Sequence, residues 1–104
     1  EKAVARARKH MIIVPITSLG PDRPYELVRD IPVVVQPSDS GFIATFFDAN
    51  VNMSGETQEE AVENMKGLLV DLLEDLEGEP ATKLGPKPKR QLRTLRAVMR
   101  RAKS

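Results

Sequence analysis

Cysteine is absent from these 104 residues, and so is tryptophan. The first absence excludes a disulfide framework and a thiolate metal site. The second, with only 1 tyrosine and 3 phenylalanines, leaves few rings on which nucleic-acid bases would stack. Histidine occurs once, as His10, so any imidazole chemistry would have to be run from the N-terminal arm. No apolar run approaches the about 20 residues of a membrane span. The stretch Met11–Val14, ahead of Pro15, is also shorter than the about 7–15 apolar residues at the heart of a signal peptide, although Lys2, Arg6, Arg8 and Lys9 precede it. These absences lead to the expectation of a cytoplasmic protein with no membrane contact.

What is present fits one ordinary domain. Apolar residues make up 40% and charged residues 30%, and a chain of this length buries roughly 65% of its unfolded surface. The formal net charge of +1 hides a strong segregation. Residues 41–79 carry ten Asp and Glu against one cation, Lys66, whereas residues 80–104 carry nine Lys and Arg and no acid. Such halves either neutralise each other within the fold or face different partners.

Glu1–His10 reads as an arm. Met11–Ser18 reads as a short strand that Pro15 assigns to an edge. Leu19–Pro24 is a loop by its Gly and Pro content. Tyr25–Gln36 is extended around the β-branched run Ile31–Val35, with Pro32 again suggesting an edge or a strand start. Ser38-Asp39-Ser40-Gly41 is a hairpin turn into a second strand, Phe42–Phe47. There Phe42, Ala44 and Phe46 alternate with Ile43, Thr45 and Phe47 between two faces. Val51 and Met53 alternate with Asn50, Asn52 and Ser54 as a third strand with one wet face.

The clearest element is the helix that follows. Thr57 and Glu60 form a capping box. Ala61, Val62, Met65, Leu68, Leu69, Leu72, Leu73 and Leu76 recur at three- and four-residue steps as one apolar stripe. Gly78 and Pro80 end it. After a stiff Leu84–Pro88 linker, Lys89–Ala102 reads as a second amphipathic helix. Leu92, Leu95, Val98, Met99 and Ala102 share one side, and Lys89, Arg90, Arg93, Arg96, Arg100 and Arg101 the other.

The order strand, Ser-Asp-Ser-Gly turn, Gly41-Phe42, Gly55-Glu56-Thr57, then Glu60-Ala61-Val62-Glu63-Asn64 resembles the HicB-like antitoxin family over about Ile31–Leu76. The residues themselves supply a rationale. Gly55 suits a tight turn of positive φ, Ala61 lets the helix lie close to the sheet, and Asn64 is placed to hydrogen-bond a strand end or loop. The resemblance implies a truncated ribonuclease-H-like unit of three or four strands and a helix. It also implies neutralisation of a small HicA-type, mRNA-cleaving toxin by steric masking. Many members add a helix-turn-helix or ribbon-helix-helix domain. The residues after Leu76 suffice for one helix only, so the chain resembles the short, standalone members.

The expected architecture is therefore α+β: a small antiparallel three- to four-stranded sheet with one long helix packed on it, plus a C-terminal basic helix. Residues 1–24 are the arm and edge segment, 25–80 the HicB-like sheet–helix domain, and 81–104 the linker and basic helix. The expected function is a non-enzymatic, antitoxin-like interaction module. Its candidate partner-binding residues are Glu59, Glu60, Glu63, Asp71, Ile43 and Phe47, facing a small basic toxin. The alternatives are a nucleic-acid-binding accessory protein using Arg90, Arg93, Arg96, Arg100 and Arg101, or an oligomeric scaffold. Asp39, Asp48 and Glu56 are the acids a Mg²⁺-dependent nuclease would use, but they fall on turns pointing to different sides. No catalytic residue, cofactor or metal site is assigned. A three-stranded sheet with one helix leaves an edge or face uncovered. A homodimer is therefore expected, jointed at Met11–Ile16 or Ile31–Val35, with Val34, Ile43 and Phe47 as a covered apolar face.

Overall fold

The computed structural model describes residues 11–102; the arm assigned to Glu1–His10 lies outside them. The sheet is four-stranded and antiparallel. It is built from β1 (Ile12–Ile16), β3 (Ile31–Ser38), β4 (Gly41–Phe46) and β5 (Val51–Gly55) in the spatial order β1-β3-β4-β5. A separate ribbon pairs β2 (Tyr25–Leu27) with β6 (Met99–Arg101). Two helices complete the α+β fold, α1 (Gln58–Gly78) and α2 (Pro86–Val98).

Strand alternation decides which face is covered. In the observed register Val14 lies opposite Val33, Ile16 opposite Ile31, Val35 opposite Ala44, and Phe46 opposite Val51. These side chains share one face. All but the half-buried Val14 are buried, with Ala61, Met65, Leu69, Leu73 and Leu76 of α1 in the same cluster. Truncating one of the large members would cost on the order of 2–5 kcal/mol. The leucine-rich stripe read from the sequence thus lies on the sheet as expected. The cluster continues into Tyr25, Leu95, Val98 and Met99, so α2 and the β2–β6 ribbon extend one core and do not form a second.

Three expectations are corrected. First, Tyr25–Gln36 is not one extended segment: residues 28–30 separate β2 from β3. Second, β3 is an interior strand, flanked by β1 and β4, so Ile31–Val35 offers no free edge for a dimer. Its prolines are tolerated for a geometric reason. Pro32 lies opposite Pro15, and two residues without N–H groups meet only as a non-hydrogen-bonded pair. The missing donor of Pro32 then points toward β4, whose pairing with β3 begins only at Val34. That of Pro37 points toward β1, whose pairing ends at Val35. Third, the C-terminal helix is Pro86–Val98, not Lys89–Ala102. Prolines in its first turn are pre-set in φ. Its expected last turn is β6 instead, with Val28 N–H donating to Val98 O at 2.7 Å and Ala102 N–H to Pro24 O at 2.9 Å. Ladder bonds to β2 override the helix preference of Met99, Arg100 and Arg101, because propensity yields to tertiary pairing.

At the β4–β5–α1 junction the backbones approach closely. A Cβ on Gly55 would lie 2.3 Å from the Ala61 nitrogen, and one on Gly41 would lie 2.3 Å from the Gly55 carbonyl oxygen. Gly41 also has φ of +154°, whereas Gly55 is not among the positive-φ residues. Gly55 is therefore required by contact, not by the turn conformation the sequence suggested. Gly67, half-exposed on the outer side of α1, would meet nothing within 4 Å. These two glycines make opposite predictions. Gly55→Ala should destabilise by at least about 2 kcal/mol through overpacking. Gly67→Ala should stabilise by about 0.8–1 kcal/mol through helix propensity. Urea denaturation of both variants checks the pair, and a tolerated Gly55→Ala would disprove the close approach.

Candidate partner-binding surfaces

The residues that carry the family resemblance converge on this junction. Thr57 Oγ1 accepts from the Glu60 N–H at 3.0 Å, and the Glu60 carboxylate accepts from the Glu56 N–H at 3.1 Å. The capping box is thus formed, with its return bond one residue earlier than expected. Asn64 Nδ2 donates to Ser54 O at 2.9 Å, which ties α1 to the edge strand β5 as anticipated. With Gly41, Gly55 and Ala61 in contact-limited positions, the signature is occupied in joining helix to sheet. It builds a scaffold and leaves little free chemistry.

The expected partner-binding residues split between two sides. Glu59 is exposed and, with Val14, Gln58, Val62 and Glu63, lines a groove of ≈ 360 Å³ between β1 and the start of α1. Glu60 is engaged in the cap. Glu63 pairs with Lys66 at 3.0 Å and Arg23 at 3.9 Å. Asp71 is exposed and makes no ion pair among the described residues. At 100° per residue it shares with Glu74 the side of α1 opposite Met65, Leu69 and Leu76. Ile43 lies on the other face of the sheet, since its neighbours Ala44 and Phe46 point toward α1. Phe47, 67% exposed, follows in a 3₁₀ turn (Phe47–Ala49). The acidic helix and the Ile43–Phe47 face are therefore not one footprint. The open face also carries Val34 and Thr45, opposite one another in the ladder, and Ile13 opposite Val34. No described element covers it.

The five arginines assigned to a basic arc do not form one. Arg90 and Arg93 are exposed on α2 without an acidic partner among the described residues. Arg96 pairs with Glu77 at 3.1 Å, and Arg100, on β6, pairs with Glu26 at 2.8 Å. Arg101 places its guanidinium 5.2 Å from the centre of the Tyr25 ring, a cation–π contact. Asp39 sits in the β3–β4 turn, Asp48 in the 3₁₀ turn at the far end of β4, and Glu56 ahead of α1. Among the described residues, no three His, Asp or Glu side chains converge as a metal-binding group.

Sequence reasoning missed Tyr25 and Glu77. Tyr25 is 2% exposed, and its hydroxyl donates to Glu77 Oε1 at 2.9 Å while Arg96 holds Oε2. One carboxylate thus ties β2, α1 and α2 together. No spacing signals this, because the three residues lie far apart in the chain. No described helix is long and apolar enough to cross a membrane. Comparison with protein-family models, curated proteins and solved structures finds no match to this chain.

Burial, and then the bond to Glu77, raise the Tyr25 pKa above its ordinary 10.0. The neutral phenol is the form that fits the fold. Stability from this group is therefore complete below pH 10 and is lost as pH climbs from there through the higher folded-state value, the interval in which the unfolded chain releases the proton and the folded chain still holds it. The chain has a single tyrosine, so its phenolate absorbance reports this site alone. A native titration midpoint above that of the urea-unfolded chain is expected. Tyr25→Phe should remove the corresponding part of the alkaline loss of stability and cost about 1 kcal/mol at neutral pH.

Proposed function

We propose that the chain is a non-catalytic protein-binding module that masks a small basic partner, as a HicB-type antitoxin masks an mRNA-cleaving toxin of HicA type. The observation that carries this reading is that the segregated charges stay apart. Of the cations in residues 80–102, only Arg96 pairs with an acid of residues 41–79 among the described residues. Asp71, Glu74 and Asp75 are exposed on α1 without ion pairs there. A rigid helix with unneutralised acids steers a basic protein toward it and sets its orientation. The partner's RNA-binding surface would be basic, so occlusion by this wall inhibits it without chemistry.

Support for the HicB comparison comes from how the signature residues are used: Gly41, Gly55, Thr57, Glu60, Ala61 and Asn64 jointly fix α1 on the sheet. Co-expression with the product of the neighbouring gene tests the reading. A small basic protein should co-purify, and Asp71→Lys with Glu74→Lys should weaken the complex at least about tenfold, or about 1.4 kcal/mol, with the melting temperature little changed. Recovery of no such protein, or a complex indifferent to both substitutions, defeats it.

A second reading rests on Lys87, Lys89, Arg90 and Arg93, all exposed on α2 without acidic partners among the described residues. Four phosphate contacts would give a slope of roughly −3 to −4 in log K against log salt for duplex nucleic acid. An anisotropy titration at two salt concentrations separates this reading from the first, because no binding at low salt removes it.

A further inference from the structure

The two edges of the sheet differ sharply. The β5 edge carries Asn52 and Ser54, and Asn64 already takes the Ser54 carbonyl. The β1 edge runs from Met11 to Thr17 without a charge, and its side chains include Ile13 at 70% and Ile12 at 38% exposure. Unprotected apolar edges of this kind are templates for another strand.

The prolines determine which backbone groups on β1 are free. Pro15 and Pro32 form a non-hydrogen-bonded pair, so Val14 and Ile16 bond to β3 while Met11, Ile13 and Pro15 direct their backbone groups outward. Among the described residues, Ile13 therefore has both its N–H and its carbonyl unpartnered, and Pro15 its carbonyl. An antiparallel copy of the same strand, related by a two-fold axis at Ile13, satisfies this pattern. The two Ile13 residues exchange N–H···O bonds, and each Met11 N–H reaches the Pro15 carbonyl across the axis. The missing proline donors fall at the ends of the ladder.

Side-chain placement agrees. With the axis at Ile13, Ile12 of the second copy stands beside Val14, at the mouth of the groove that Val14 and Val62 floor and Glu59 and Glu63 rim. Each copy thus supplies an apolar residue for the other's groove.

We infer that β1 is a homodimer seam, pairing antiparallel with β1 of a second copy about Ile13 to make one eight-stranded sheet. The seam stands independently of the proposed masking function, which uses the outer side of α1. On this arrangement the open faces of both copies merge into one apolar platform, with Ile13, Val34, Ile43 and Thr45 contributed twice.

Sedimentation and a cysteine cross-link test the seam. Wild type should sediment as a dimer. Ile13→Glu sets two like charges face to face and should raise the dissociation constant at least about 100-fold, with an unchanged circular dichroism spectrum because the residue is exposed. In a chain with no native cysteine, Ile13→Cys should give a disulfide-linked dimer on mild oxidation, since directly opposed Cα atoms in a hydrogen-bonded pair lie about 5.5 Å apart. Met53→Cys on the other edge should not. A monomeric wild type, a dimer indifferent to Ile13→Glu, or cross-linking through Met53 and not Ile13 overturns the proposal.

Discussion

The contact between Gly41, Gly55 and Ala61 sets the terms for the rest of the structure. Three residues with little or no side chain bring the β3–β4 hairpin, the end of β5 and the first turn of α1 so close that a Cβ on Gly41 or Gly55 would lie 2.3 Å from a neighbouring backbone atom. A helix entering any farther from the sheet would leave the apolar stripe of α1 short of the strands it shares a core with. A void there has no partner atoms on one side, and the loss of dispersion contacts is felt at once. The cap at Thr57 and the Asn64–Ser54 bond fix the direction of entry. Distance is set by the small residues, and angle by the hydrogen bonds.

From that anchor the chain extends its core in one direction. Near its C-terminus α1 is tied to the ribbon and to α2 through Glu77, and the same core takes in Tyr25, Leu95, Val98 and Met99. The β2–β6 ribbon is two three-residue strands, too small to persist alone. It holds because its residues belong to the common core and because Glu77 receives both Tyr25 and Arg96. The bond to a buried phenol matters most here, since exposed ion pairs such as Arg100–Glu26 are each worth about 0–1 kcal/mol.

How far the sequence reveals this differs by element. The Thr57 cap, the α1 stripe, the Asp39-Ser40 hairpin and the β1 edge are all legible, because each follows from local pattern or turn chemistry. The ribbon is not, because Val98-Met99-Arg100-Arg101 fits a helix as readily as a strand and only the distant Tyr25–Leu27 decides between them. The interior position of β3 is hidden by Pro32 and Pro37. Proline argues against a central strand unless one knows that neighbouring strands stop short on the side of each missing donor. The candidate surfaces are legible as charge and apolarity but not as geometry: Ile43 and Asp71 fall on opposite sides of the sheet, and Arg100 and Arg101 leave the helix. Gly55 is recognisable as a special position, while its reason, contact with Ala61 and not φ, needs the fold.

The separation of charge is the feature that packing leaves unexplained. On α2, Lys89 and Arg93 stand four residues apart, and Arg90 and Arg93 three, so the helix carries like-charge neighbours that cost it about 0.2–0.5 kcal/mol each. On α1, Asp71 and Glu74 do the same with the opposite sign, and Asp75 adds to the field. The long, flexible arginine stems would gain little by crossing to those acids in water, where exposed pairs contribute almost nothing. Folding therefore supplies no strong pressure to neutralise either surface. A partner that removes water from one of them changes this balance, because the same charges then act at lower effective dielectric and dictate which opposite surface fits. The Gly55 junction and the Glu77 tie hold α1 at both ends, so a partner docking on that wall would have little backbone left to order.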